Sequence, residues 1–251
     1  MCFYILCFFI SGVLTAQQEL IFEDNFEGEE LRVDAWNYEL GDGCPDLCGW
    51  GNNERQIYTQ ENVQLKNGNL VIKATHDNGV YKSAKITTKD KVEFTYGTIE
   101  VRAQLATGKG VWPAIWLLGA NIDEVQWPTC GEIDMMEYVG KEPHVVFTSI
   151  HTAESFGATV HSERTILPQI ESGFHVYKTR WTEDEISFFI DDRKVYTYQP
   201  RQKVIEQWPF GQPFYIIMNI AIGGDLGGPE VDDSIFPQEF LVDYILIYKN
   251  S

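Results

Sequence analysis

The chain of 251 residues carries 19 basic against 37 acidic side chains, a net charge of -18, with no basic stripe to displace counterions from a phosphate backbone. Nucleic acid is thereby excluded as a partner, whereas a neutral polymer would feel no repulsion. Aromatic residues reach 14% in an otherwise ordinary globular composition, and with no linker, repeat or low-complexity tract one domain is favoured over two.

Residues 1–16, Met1 to Ala16, hold no charged side chain and run through Phe3, Ile5, Leu6, Phe8, Phe9 and Ile10 before small residues appear. The run is shorter than the roughly 20 residues that span a bilayer, and Ala16 before Gln17-Gln18 suits cleavage, so it reads as a signal peptide. The usual basic start is missing, and a buried amino-terminal strand is the alternative. On the signal reading a catalytic-size domain spans 17–251, the product is secreted, and no membrane association remains after cleavage. Cys2 and Cys7 fall in that segment. Of the other three cysteines, Cys44 and Cys48 flank Pro45-Asp46-Leu47 in a Gly-rich loop that an oxidising compartment could close as a small disulfide. No His stands at a spacing that would make these cysteines a zinc site.

Further along, short β-branched and aromatic runs dominate: 69–74, 97–105, 145–151, 186–190, 194–198, 214–220 and 241–248. Turn residues separate them, Asp191-Asp192 and Lys66-Asn67-Gly68-Asn69 among them, and no stretch of ten or more residues keeps a helical period. The pattern predicts an all-β antiparallel sandwich. The stretches Gly41 to Asn53 and Asn121 to Cys130 are long for hairpins, and long loops on a rigid sandwich are where function concentrates.

Gly131-Glu132-Ile133-Asp134-Met135-Met136-Glu137-Tyr138-Val139 sets three acids into an otherwise buried strand. Side chains two apart share a face, so a regular strand would group Glu132 with Asp134 and send Glu137 to the other side. A β-bulge at Met135-Met136 would return Glu137 to the face of the other two. Paired carboxyl groups on one face suit glycoside hydrolysis, in which an ionised acid attacks the anomeric carbon and a protonated one serves the leaving oxygen. Crowding raises at least one pKa and supplies that difference. Two plainer uses compete: chance grouping on a solvated face, and a calcium site, which the intervening Ile and Met leave little freedom to wrap.

With its surroundings, this segment closely resembles glycoside hydrolase family 16, in particular the laminarinase-like members. The resemblance rests on Trp36-Asn37-Tyr38-Glu39-Leu40, Trp50-Gly51-Asn52-Asn53-Glu54, Phe94 to Glu100, Trp112-Pro113-Ala114-Ile115-Trp116, the acidic segment, and Leu241-Val242-Asp243-Tyr244. It implies a β-jelly-roll of two curved antiparallel sheets whose concave face forms an open cleft for a polysaccharide. It further implies Glu132 as nucleophile, Glu137 as acid/base and Asp134 as the assisting acid, without any cofactor for catalysis. Trp112, Trp116 and Trp127 resemble aromatic residues that line sugar subsites, while Trp36 and Trp181 are assigned to the core. Asn53, Glu54 and His151 resemble polar residues that contact sugars, although a lone His in a strand is often structural. At Lys85 relatives often carry Arg, and Lys lacks the planar fork that grips two hydroxyls. A structural calcium on the convex face is also implied, at positions matching Glu23, Gly68 and Asp243; a hydrogen-bonded structural Asp is the alternative for Asp243.

The expected activity is retaining endo-hydrolysis of β-1,3-glucan, with mixed β-1,3/1,4 chains as a further substrate, by a monomer. Two alternatives stand beside it: a non-catalytic β-1,3-glucan recognition protein, which would have lost the glutamates kept here, and a related hydrolase or transglycosylase acting on agar, carrageenan or xyloglucan.

Overall fold

A computed structural model of the chain describes residues 18–250. The expected signal segment, with Cys2 and Cys7, lies outside the described residues. Strands form wherever β-branched and aromatic residues alternate with smaller or polar ones, and the longest helices, Ile122–Val125 and Gly224–Gly227, are single turns.

The strands assemble into two sheets. One has ten strands; its path runs from Arg193–Tyr198 through Ile186–Ile190, His175–Trp181, Gly97–Gln104, Gln238–Tyr248, Asn69–Asp77 and Val80–Ser83 to Gln56–Tyr58. The other has eight, running from Ser162–Ile166 through Val145–His151, Glu132–Tyr138, Val111–Gly119, Phe214–Ile222 and Lys85–Thr87 to Asn37–Glu39. Pairing is antiparallel apart from Gln56–Tyr58 on Val80–Ser83. The result is an all-β jelly-roll sandwich, and every run read as a strand from the sequence is one, most of them extended by a residue or more.

Between the sheets lies the main core. Ile99, Val101 and Ala103 from the ten-stranded sheet meet Ile115, Leu117, Ile133, Ile216, Met218 and Ile220 from the eight-stranded one. These are alternate residues of their strands, so the intervening ones face outward. In Val111–Gly119 the outward set is Trp112, Ala114, Trp116 and Leu118; in Val145–His151 it includes Phe147, Ser149 and His151. A smaller apolar cluster of Leu118, Cys130, Tyr215 and Ile217, with Ile122 against it, fastens the 121–130 loop to that outer face.

Turn chemistry follows the sequence. Asp191 and Asp192 both take positive φ, 48° and 64°, in the hairpin between Ile186–Ile190 and Arg193–Tyr198. Gly131, immediately before the acidic strand, sits at φ 80°, where a Cβ would come within 2.7 Å of Pro209 Cγ. Only glycine lets the chain enter the strand there. Trp36 and Trp181 are buried, as assigned, and Cys44–Cys48 is closed as a disulfide while Cys130 is a buried free thiol. Among the described residues no helix is long and apolar enough to cross a membrane.

Candidate active site

Glu132–Tyr138 is the third strand of the eight-stranded sheet. Against Val145–His151, Asp134 pairs with Ser149 and Glu137 with Phe147, so three steps on one strand match two on the other. Against Val111–Gly119, Trp116 pairs with Asp134, Ile115 with Met136 and Ala114 with Glu137, which leaves Met135 as the extra residue. This is the bulge expected at Met135-Met136. Both methionines are buried in the inter-sheet core, and Glu132, Asp134 and Glu137 emerge together on the outer face.

Two cavities, of about 430 and 400 Å³, share the walls Asn52, Trp112, Trp127, Glu132 and Glu137. One extends over Phe147, Ser149, His151, Thr159 and Ser162; the other extends over Glu39, Trp50, Glu54, Lys85, Trp116 and Asn219. Because these residues come from successive strands of the sheet, the cleft crosses the strands with the three acids in its middle.

Of the site residues read from the sequence, Glu54, Lys85, Trp112, Trp116, Trp127 and His151 line this cleft. Asn53 does not: at φ 56° it turns outward and its amide donates to Asp225 Oδ1 at 2.8 Å, and its neighbour Asn52 takes the wall. Glu54 is held by the Asn52 and Gln56 amides at 3.1 and 2.6 Å and by the Tyr58 hydroxyl at 3.2 Å. Tyr58 in turn accepts from Asn219, whose carbonyl accepts the Trp116 indole N–H at 2.8 Å. The chain of bonds fixes the Trp116 ring from behind. Lys85 Nζ is paired to Glu39 at 2.7 Å and lies 4.3 Å from the Trp50 ring and 5.2 Å from the Trp116 ring. At the other end Trp127, 43% exposed, meets Phe156, 50% exposed, edge to face at 5.4 Å. Trp50, Asn52, Asn219 and Phe156 were not picked out from the sequence; Asn52 stands in a turn before Asn53 at φ 56°, so no strand parity pointed to it.

The remote residues Glu23, Gly68 and Asp243 fall near one edge of the ten-stranded sheet, through the pairings of Glu23 with Leu246 and of Val242 with Leu70. The Glu23 carbonyl accepts from Arg32 Nη1 at 2.9 Å, and the Asp243 carboxylate is paired with Arg102. The ion pair with Arg102 is the arrangement that the structural alternative for Asp243 describes.

The sequence profile of Glycosyl hydrolases family 16 matches residues 51–235. A crystal structure of laminarinase from Flavobacterium sp. UMI-01 is 56% identical, covering 92% of this chain and all of that one, with a TM-score of 0.91. The chain belongs to glycosyl hydrolase family 16. Other members resemble it over nearly the same span: the laminarinase catalytic domain of Thermotoga maritima at 37% identity and TM-score 0.87, covering 93% of this chain and 99% of that one. The Beta-glucanase of Rhodothermus marinus is 38% identical over 92% of this chain and 85% of that protein.

In this family 16 site, burial and the Asp134 charge push Glu132 and Glu137 each up to about 8. Asp134, the most enclosed, is also pushed upward by burial. The neighbours differ. His151 Nε2 lies 3.0 Å from Asp134 Oδ2 and 3.6 Å from Glu132 Oε1. Glu137 instead accepts from the neutral Trp112 indole at 3.1 Å. Both glutamates are nonetheless raised alike, because His151 and an indole N–H, that of Trp127 at Glu132 and that of Trp112 at Glu137, ease the ionised form of each.

Proposed function

We propose that the chain is a retaining endo-β-1,3-glucanase of laminarinase type that also accepts mixed β-1,3/1,4 glucan. The observation that carries the reading is the bulge, which presents three acids to one sugar in the middle of an open, indole-lined cleft. The 17–251 segment is its catalytic domain, and the Cys44–Cys48 disulfide supports an extracytoplasmic location. The relatives' names as laminarinases and β-glucanase give the substrate class.

Glu132 is the nucleophile. Its carboxylate forms a bond to the anomeric carbon as the glycosidic C–O bond breaks, and Glu137 gives its proton to the departing oxygen. Once Glu132 is a neutral ester, the site has lost one negative charge, so Glu137 stays ionised more readily and accepts the proton of an incoming water. That water's oxygen displaces the ester, restoring the Glu132 carboxylate. Asp134, fixed between Glu132 and His151, acts as a positioning residue. Trp112, Trp116, Trp127 and Trp50 offer apolar faces to glucose rings, and Lys85, Glu54, Asn52 and His151 offer polar partners to hydroxyls.

A reducing-sugar assay on laminarin, lichenan, agarose and xyloglucan, with product sizes, tests the reading. Laminarin should be cut to a spread of oligosaccharides; cleavage of agarose or xyloglucan alone would overturn the substrate assignment. Glu132→Gln should abolish hydrolysis while retaining oligosaccharide binding, and a fully active variant would end the nucleophile assignment. A wild-type chain that binds β-1,3-glucan but cuts nothing would make it a recognition protein instead.

A further inference from the structure

His151, beyond its place in the cleft wall, turns one ring nitrogen toward two acids. Among the described residues, Glu132, Asp134 and His151 are the group of three whose donor atoms all lie within 4.8 Å of one another. Other histidines, His76, His144 and His175, each face one carboxylate, those of Asp233, Glu171 and Asp191. Asp134 is 3% exposed, and its Oδ2, although 3.0 Å from His151 Nε2, has no aligned hydrogen-bond donor. A buried carboxylate oxygen without a donor is costly to keep. It faces the place where a cation would satisfy it.

The spacing fits a particular kind of cation. Tetrahedral zinc, with bonds of about 2.0 to 2.2 Å, holds its donor atoms about 3.3 to 3.6 Å apart. Of the separations from His151 Nε2, 3.6 Å to Glu132 meets the upper end of that range and 3.0 Å to Asp134 falls a little short of its lower end. A cation bridging such a pair lies off the line joining its donors, so the misalignment that spoils an N–H···O bond does not spoil shared coordination. One imidazole nitrogen and two carboxylate oxygens form a donor set typical of zinc, and the open cleft leaves room for water as a fourth ligand. Calcium takes six to eight oxygen ligands, which this strand face does not supply.

We propose that Glu132, Asp134 and His151 form a binding site for zinc or a similarly borderline divalent cation, and that its occupancy reversibly blocks hydrolysis by engaging Glu132. The inhibitory half rests on the glucanase reading above; the binding half does not. Cation and glycan then compete for the same carboxylate, and free zinc lowers the active fraction without altering the fold.

Isothermal titration of zinc into the full chain, dialysed free of metal and without any sugar, tests the binding half. The expected result is one zinc per chain, an affinity roughly tenfold or more weaker in His151→Gln and in Asp134→Asn, and near-normal binding in Glu137→Gln. Calcium and magnesium should give no comparable binding. Melting curves show whether each variant folds, and zinc should raise the melting temperature of the wild type more than that of His151→Gln. No zinc bound, or zinc bound equally by both ligand variants and the wild type, would overturn the site. Zinc bound here while laminarin hydrolysis continues unchanged at saturating zinc would overturn the inhibition alone. A chain that binds zinc here yet never cuts laminarin would refute the glucanase reading and leave the site standing.

Discussion

Replacing Glu132 by Gln should make the protein more stable in alkali while it destroys activity. The folded carboxyl is pushed up to about 8 from an ordinary 4.5, so below 4.5 it is neutral in both folded and unfolded chains and contributes no difference. As pH rises from 4.5 through 8, the unfolded chain ionises freely, the folded one resists, and the wild type loses stability across that window. At about 1.4 kcal/mol per pH unit the ceiling is roughly 5 kcal/mol. Three crowded acids share the strain, so relief of one should recover about 1 to 3 kcal/mol, or roughly 3 to 10 °C in melting temperature for a chain of this size. Differential scanning calorimetry of both proteins at pH 4.5 and pH 9 measures it. Equal melting differences at the two values would refute the claim that burial and repulsion strain this trio.

Other consequences follow from the walls of the cleft. Trp112→Phe keeps an aromatic face but removes the donor that pulls the Glu137 carboxyl down, so the alkaline limb of kcat/KM should move up by roughly half a pH unit. An unmoved limb would show that Glu137 does not set it. Lys85→Met leaves Glu39 without its cationic partner between the Trp50 and Trp116 rings, and should raise KM for laminarin roughly 3-fold to 10-fold with kcat little changed. A fall in kcat at constant KM would place Lys85 in the transition state instead.

Parity made much of this site legible in the sequence. Three acids in a buried strand need a common face, and with Glu137 three steps from Asp134 a bulge follows by counting. Several strands that escaped detection are short, such as Lys85–Thr87 and Glu93–Phe94, or interrupted, such as Val111–Gly119 with Pro113 inside it, whereas His175–Trp181 is neither and was hidden by its charged residues. Proline is tolerated there because the ladder to Glu132–Tyr138 begins one residue later, at Ala114. Loops resisted for a different reason. That Asn52 rather than Asn53 reaches the cleft depends on a positive φ and on Asp225, a residue far along the chain. Likewise, the pairing of Asp243 with Arg102 across neighbouring strands depends on register, which a local motif does not encode.

The bulge itself admits a direct test, because removing it does not change the parity of the acids. With Met135 deleted, Asp134 opposite Ser149 would be followed two steps later by the glutamate opposite Phe147, and Trp116, Ile115 and Ala114 would pair in unbroken sequence on the other side. Both ladders become regular and all three acids keep the outer face. The losses are a buried methionine, about 2 to 4 kcal/mol, and the extra twist that sets where Glu137 stands along the strand. A displacement near 1 Å costs roughly 100-fold in rate, so the deletion variant should fold and retain weak laminarin hydrolysis, well above the level of Glu137→Gln. If instead the folded variant matches Glu137→Gln, the bulge does more than choose a face: it fixes the reach of the acid to within the tolerance of proton transfer, and face-sharing alone would not suffice for catalysis.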